Sequence, residues 1–197
     1  MSIIYTIGHS SHPLDAFIAL LHKHGISAVG DVRSHPVSKR FPHFSKPLLE
    51  ATLRENEIRY VFLGKELGAR SNDPEVYVSG RVCYQRLAES EIFKSGIERL
   101  ESGSGTHKIA MMCAERDPIM CHRMILVGRT LVQRGHSVMH ILSDGTIETH
   151  TAALNRLLEQ HGISRNDMFR PVNQAEDEAY RAQEKAIAYA DPSEVIQ

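Results

Sequence analysis

Tryptophan is absent from this chain, and several other features that would narrow its function are missing or scarce. No apolar run approaches the roughly 18 residues of a membrane span. The opening Met-Ser-Ile-Ile-Tyr has neither the basic nor the apolar region of a signal peptide. Three cysteines, an odd number, do not build a disulfide framework, so a reducing cytoplasm is the expected location. Neither charge sign dominates: 23 Lys and Arg stand against 24 Asp and Glu, a formal net charge of -1. That balance argues against a protein that coats nucleic acid non-specifically, because such binding draws on an excess of cations, and any nucleic-acid contact needs a local patch. At 197 residues, 42% of them hydrophobic, the chain can bury one good core and is short for two. Histidine, at 12 residues, is plentiful.

Residues 3–7 form a β-branched run that ends at Gly8-His9-Ser10 and reads as a buried strand. Leu14, Phe17, Ile18 and Leu21 recur at helical spacing, with Gly25 as a stop, and residues 26–32 read as a second strand. A strand, a short helix and a strand on tight connections favour a parallel βαβ unit. The alternation continues with a helix over 46–57, a strand over 58–63 and an irregular stretch over 64–80. A helical region over 84–100, broken near Ser95-Gly96, leads through a flexible turn at 102–105 to a strand over 108–113. A helix over 118–134, a strand over 137–142 and a helix over 151–160 follow.

The expected fold is α/β. Residues 1–168 make a single domain, with a mostly parallel sheet of about five strands and helices on both faces. Residues 169–197 make a polar helical C-terminal tail that packs on the body or binds a partner. Ligands in such sheets bind beyond the carboxyl ends of the strands.

The densest chemistry lies between Cys113 and Arg123, which brackets Glu115, Asp117-Pro118, Cys121 and His122. Asp117 and Pro118 read as an N-cap and first helical position. Cys121, His122 and Arg123 then fall in the first turns, where the helix dipole favours an anion and lowers a thiol pKa. Three readings stay open. Cys121 is a nucleophile or redox thiol served by His122 or Glu115. Alternatively Cys113, Cys121 and His9 bind a metal, although C-x7-C-H is no standard zinc spacing. Or both cysteines are small buried hydrophobes. No metal ligand is assigned, and no cofactor is named.

A second constellation runs from Asp31 to Lys46, where Arg33, Lys39, Arg40 and Lys46 mix with Phe41 and Phe44. Such a loop suits contact with phosphate and stacking on a base, or a solvated surface with its phenylalanines packed beneath. Familiar signatures fail: Gly64-Lys65 lacks the rest of a phosphate-binding loop. Ile119 and Val127 stand where a phosphatase loop would need arginine after Cys113 or Cys121.

Thr6-Ile7-Gly8-His9-Ser10, then Asp31-Val32-Arg33 with Pro36 and Arg40-Phe41, then Cys113-Ala114-Glu115 and Cys121-His122-Arg123 closely resemble the domain-of-unknown-function family number 488. The resemblance covers about residues 3–141. It implies an α/β fold and these residues as a site; some members carry a DNA-repair label.

The expected function is an enzyme acting on a phosphate-bearing substrate, a nucleotide or nucleic acid. Cys121, His122, Cys113, Glu115, Asp31 and His9 are the candidate catalytic residues. Arg33, Arg123, Ser10, Arg40 and Lys39 are the candidate substrate contacts. The competing expectation is a non-catalytic nucleic-acid-binding module that uses the 33–46 loop and the tail.

Overall fold

A computed structural model describes residues 1–165 and 171–191, so the expected boundary at 168/169 lies outside the described residues. Five parallel strands carry the sheet: β1 (Ile3–Gly8), β2 (Ala28–Asp31), β3 (Arg59–Phe62), β6 (Ile109–Cys113) and β7 (Ser137–Ile141). A sixth, β8 (Ile147–Thr149), pairs antiparallel with β7. The order is β3-β2-β6-β1-β7-β8, and β4 (Tyr77–Val78) with β5 (Arg81–Val82) makes a separate hairpin. β6 therefore lies between β1 and β2, and register pairs Gly8 with Cys113 and Asp31 with Met112. Three chain segments distant in sequence end at the same edge.

Strand alternation sends successive side chains to opposite faces. Ala110 and Met112 of β6 join a core with Phe17, Leu21, Leu49 and Leu53, from α1 (Leu14–Lys23) and α2 (Lys46–Glu55). Ile109, Met111 and Cys113 face the other core, with Phe93, Leu126, Leu157 and Ala179. That side is covered by α3 (Gly64–Leu67), α4 (Tyr84–Glu89), α5 (Glu91–Ser104), α6 (Arg129–Gln133), α7 (His150–Gln160) and α8 (Val172–Ile187). α8 buries Ala175, Ala179, Tyr180 and Gln183 against the body. No helix among the described residues is long and apolar enough to cross a membrane.

Three local expectations need correction. The break expected near Ser95-Gly96 falls at Ser90, whose hydroxyl accepts from the Phe93 amide and caps α5. Gly96 instead lies inside α5, where a Cβ would come within 2.6 Å of Glu66 on α3. The turn expected at 102–105 is mostly helical, since α5 continues to Ser104.

The third correction bears on chemistry. The helix expected over 118–134 is not continuous. Asp117 accepts from the Ile119 amide and caps a single 3-10 turn, Pro118–Met120. Cys121 is then extended (φ -141, ψ 141), and a π-helical segment, Arg123–Gly128, leads into α6. The second start has its own cap: Cys121 Sγ accepts from the Arg123 amide at 3.4 Å, and its carbonyl accepts from Met124 and Ile125. Gln183 of α8 donates to the Ile119 carbonyl freed by the break.

Candidate functional site

Gly8 closes β1 against the loop after β6. A Cβ there would lie 1.9 Å from the Glu115 carbonyl oxygen, so only glycine admits this approach. The next residues continue the ladder, His9 N donating to Cys113 O and Ser10 N to Ala114 O. Ser10 takes a left-handed backbone (φ 45), strained for a residue with a Cβ.

Two polar groups meet at this edge. In the first, Asp31 is fully buried and takes a two-pronged contact from Arg33, Nε to Oδ1 at 2.9 Å and NH2 to Oδ2 at 2.6 Å. The Arg33 amide and the Tyr60 hydroxyl also donate to Asp31, the latter at 2.7 Å. Arg33 NH1 donates to His9 Nε2 at 3.2 Å, and His9 Nδ1 donates to the Ser10 carbonyl. Burial and the neighbouring Arg33 cation hold His9 down at about 4, so its ring is neutral. Burial lowers Arg33, but its bonds to Asp31 outweigh that and leave its pKa raised. His9 stacks on buried Phe44 with ring centroids 4.3 Å apart.

The second group is Cys113, Glu115, Cys121 and His122. One potential donor atom from each lies within 4.8 Å of the others. Cys121 Sγ donates to Glu115 Oε2 at 2.9 Å, and His122 Nδ1 lies 3.8 Å from each thiol sulfur. His122 Nε2 donates to the Val32 carbonyl at 3.1 Å. A carbonyl only accepts, so the ring proton resides on Nε2 and the Nδ1 lone pair faces the sulfurs. Cys113, Cys121 and His122 are buried, and Glu115 is exposed. The Cys121 hydrogen bond and burial push the Cys113 thiol up. Burial also pushes Cys121 up, but Cys113, Arg123 and His122 outweigh it and hold Cys121 below its ordinary range. Burial lowers His122, while Cys121, once deprotonated, more than offsets that and raises it.

The candidate substrate contacts separate. Arg33 is spent on Asp31 and His9, as above. Arg123 is fully buried, with NH1 donating to the Glu115 carbonyl at 2.7 Å and NH2 to the Arg116 carbonyl at 3.1 Å. Neither guanidinium has its fork free for a ligand: that of Arg33 is taken by the Asp31 carboxylate and that of Arg123 by two loop carbonyls. Asp31 holds Arg33 and Tyr60 rather than a histidine, and His9 joins Arg33 rather than the thiols. Ser10 and Arg40 do line a cleft of about 400 Å3, with Ser11, Ser38 and Phe41. Ala114, Glu115 and Arg116 form its opposite wall. Lys39 is exposed beside it. Arg40 lies over the Phe41 ring, 5.4 Å from its centroid, while the burial of Phe44 removes it as a stacking platform.

Sequence reasoning missed Arg116, Ser11, Ser38 and Tyr60. Arg116 sits inside the 113–123 motif, and its Nε donates to Ser143 Oγ at 2.8 Å, after β7. Tyr60 gave no signal, because nothing local tells that its hydroxyl reaches across to β2. A larger groove of about 1300 Å3 runs between α4, α6 and α8, with Arg81, Arg129, Asp177 and Lys185 in its walls. It holds mixed charges, including an Arg129–Asp177 ion pair, and none of the four cluster residues lines it.

A family model described as "Domain of unknown function DUF488" matches residues 13–130. The match takes in the Asp31–Arg33 segment and both cysteine motifs; His9 and Ser10 precede it. No curated protein and no solved structure matches the chain.

Proposed function

We propose that this chain, which belongs to the DUF488 family, is an enzyme acting on a small phosphate-bearing substrate at the carboxyl edge of the sheet. One observation carries the reading: Glu115 belongs to both parts of the site. Its residue lines the open cleft, and its carboxylate reaches Cys121 at 2.9 Å. A ligand in the cleft therefore touches the group that connects to the buried thiols and imidazole. Arg40 and Arg116 bring cations to the two walls, and Ser10, Ser11 and Ser38 bring hydroxyls, a donor set that suits phosphate. Phe41 offers an apolar face for a base. Cys121, His122 and Glu115 are the groups for the chemistry. Asp31, Arg33 and His9 support the floor.

Calorimetric titration of a nucleoside monophosphate and of a short single strand, at two salt concentrations, tests this. A charge-assisted contact is worth about 1.5–3 kcal/mol, so Arg40→Ala and Arg116→Ala should each weaken mononucleotide binding by roughly tenfold or more. Lys39→Ala should change it by less than about threefold, the level of an exposed charge. Preference for the strand, with Lys39, Arg40 and Lys46 all contributing and affinity falling with salt, would favour a binding module instead. Binding of neither ligand would remove the phosphate reading.

A further inference from the structure

We propose that Cys113, Cys121 and Nδ1 of His122 ligate one divalent cation of the zinc class, with Glu115 at its solvent-facing side. A tetrahedral zinc centre has bonds of about 2.3 Å to sulfur and about 2.0 Å to nitrogen, so its donors stand about 3.5–3.8 Å apart. Both sulfurs lie 3.8 Å from Nδ1, and a Glu115 carboxylate oxygen falls within 4.8 Å of these three atoms. The Cys121–Glu115 contact at 2.9 Å is the tight one, as a hydrogen bond is.

Two features prepare the ligands. The Val32 carbonyl takes the Nε2 proton of His122, which fixes the tautomer and aims Nδ1 at the sulfurs, as outer-shell carbonyls do for metal-bound histidines. The Arg123 amide points at Cys121 Sγ, a hydrogen bond that favours thiolate. Two sulfurs and an imidazole select zinc-like cations over magnesium or calcium, which prefer oxygen. Binding displaces the proton from each thiol that still carries one.

Three ligands are buried and the fourth group is exposed, so one position opens toward the cleft. That is the arrangement of a catalytic rather than a structural centre. Glu115 then stands where it can take a proton from a water held at that position. The C-x7-C-H spacing carries no zinc signature. The extended backbone at Cys121 and the β6 strand end bring the ligands together instead. The bearing of this centre on phosphate chemistry rests on the function proposed above; the metal site itself does not.

The test is a cobalt titration of the full chain, purified under reducing conditions and stripped with chelator. One cobalt per chain should bind, with a sulfur-to-cobalt charge-transfer band and the visible bands of tetrahedral geometry, and zinc should displace it. Cys113→Ser and Cys121→Ser should each lose more than the 10–100-fold that outer-shell changes cost. Glu115→Gln should stay within about tenfold of wild type, the lower end of that range, and Cys83→Ser should match wild type. A folded wild type without the charge-transfer band, or a band that survives both cysteine substitutions together, would overturn the site. Cobalt binding without nucleotide binding keeps the metal centre and removes the phosphate reading. Nucleotide binding without cobalt does the reverse.

Discussion

The Asp31–Arg33–His9 network and the Cys113–Glu115–Cys121–His122 cluster occupy neighbouring strand ends and touch where His122 meets Val32. They satisfy their polar groups in different ways. Asp31 receives four hydrogen bonds, from the Arg33 amide, its Nε and NH2, and the Tyr60 hydroxyl. His9 has a partner on each ring nitrogen. Nothing in that network is left to react, and its charges cancel inside the protein. The cluster puts two thiols, an imidazole and a carboxylate together, and its sulfurs are weak hydrogen-bond partners for Nδ1 at 3.8 Å. One set is closed on itself, and the other leaves the Nδ1 of His122 with only weak sulfur partners. Proximity to a strand end does not separate them; completeness of bonding does.

Substitution in the two sets should therefore have opposite signatures. The largest stability effect belongs to Asp31→Ala, which strands a buried guanidinium and should cost about 3–5 kcal/mol in denaturant unfolding. Cys121→Ser should cost no more than about 1–3 kcal/mol, the range for one unsatisfied buried polar group, while removing the function of the cluster. Equal stability losses would erase the distinction.

Gly8→Ala lies where the two regions share a wall, because the new methyl meets the Glu115 carbonyl. Overpacking of this kind costs about 1–3 kcal/mol. It should also displace Glu115, so ligand affinity should fall together with the unfolding midpoint. A fully stable Gly8→Ala protein would show that the loop after β6 yields freely.

A smaller effect follows from pH. Burial holds both His9 and His150 at about 4 in the folded protein, below the ordinary value of 6.5. The unfolded chain binds their protons first as pH falls. Their contribution to stability is thus complete above 6.5 and is lost between 6.5 and about 4, by up to about 1.4 kcal/mol per pH unit per group. His150→Gln should flatten the slope in that window while leaving the shares of His9 and of His140, which burial also lowers, as denaturant midpoints from pH 4 to 7 would show. An unchanged slope would assign it to other groups.

Much of the frame was legible in the chain. Short apolar runs alternating with helical stretches mark the five parallel strands, and their ends point to His9, Asp31 and Cys113 because parallel sheets gather ligands there. The three-residue β8 escaped notice although Asp144-Gly145 is a hairpin turn signal. The break at Cys121 was not legible. Asp117-Pro118 followed by Ile-Met-Cys-His-Arg-Met has the local signature of one helix start, and only the bonds to Glu115 and Gln183 favour two. The arginines misled for a similar reason: their charge is visible in sequence, but the groups that already hold it are not.

The most direct measurement of the central claim is diffraction from crystals soaked with mixed nucleoside monophosphates. Phosphate density in the cleft between Arg40 and Arg116, with the ester within reach of Glu115, is the predicted result. Density seated in the groove between α4, α6 and α8, with the cleft filled only by water, would contradict it.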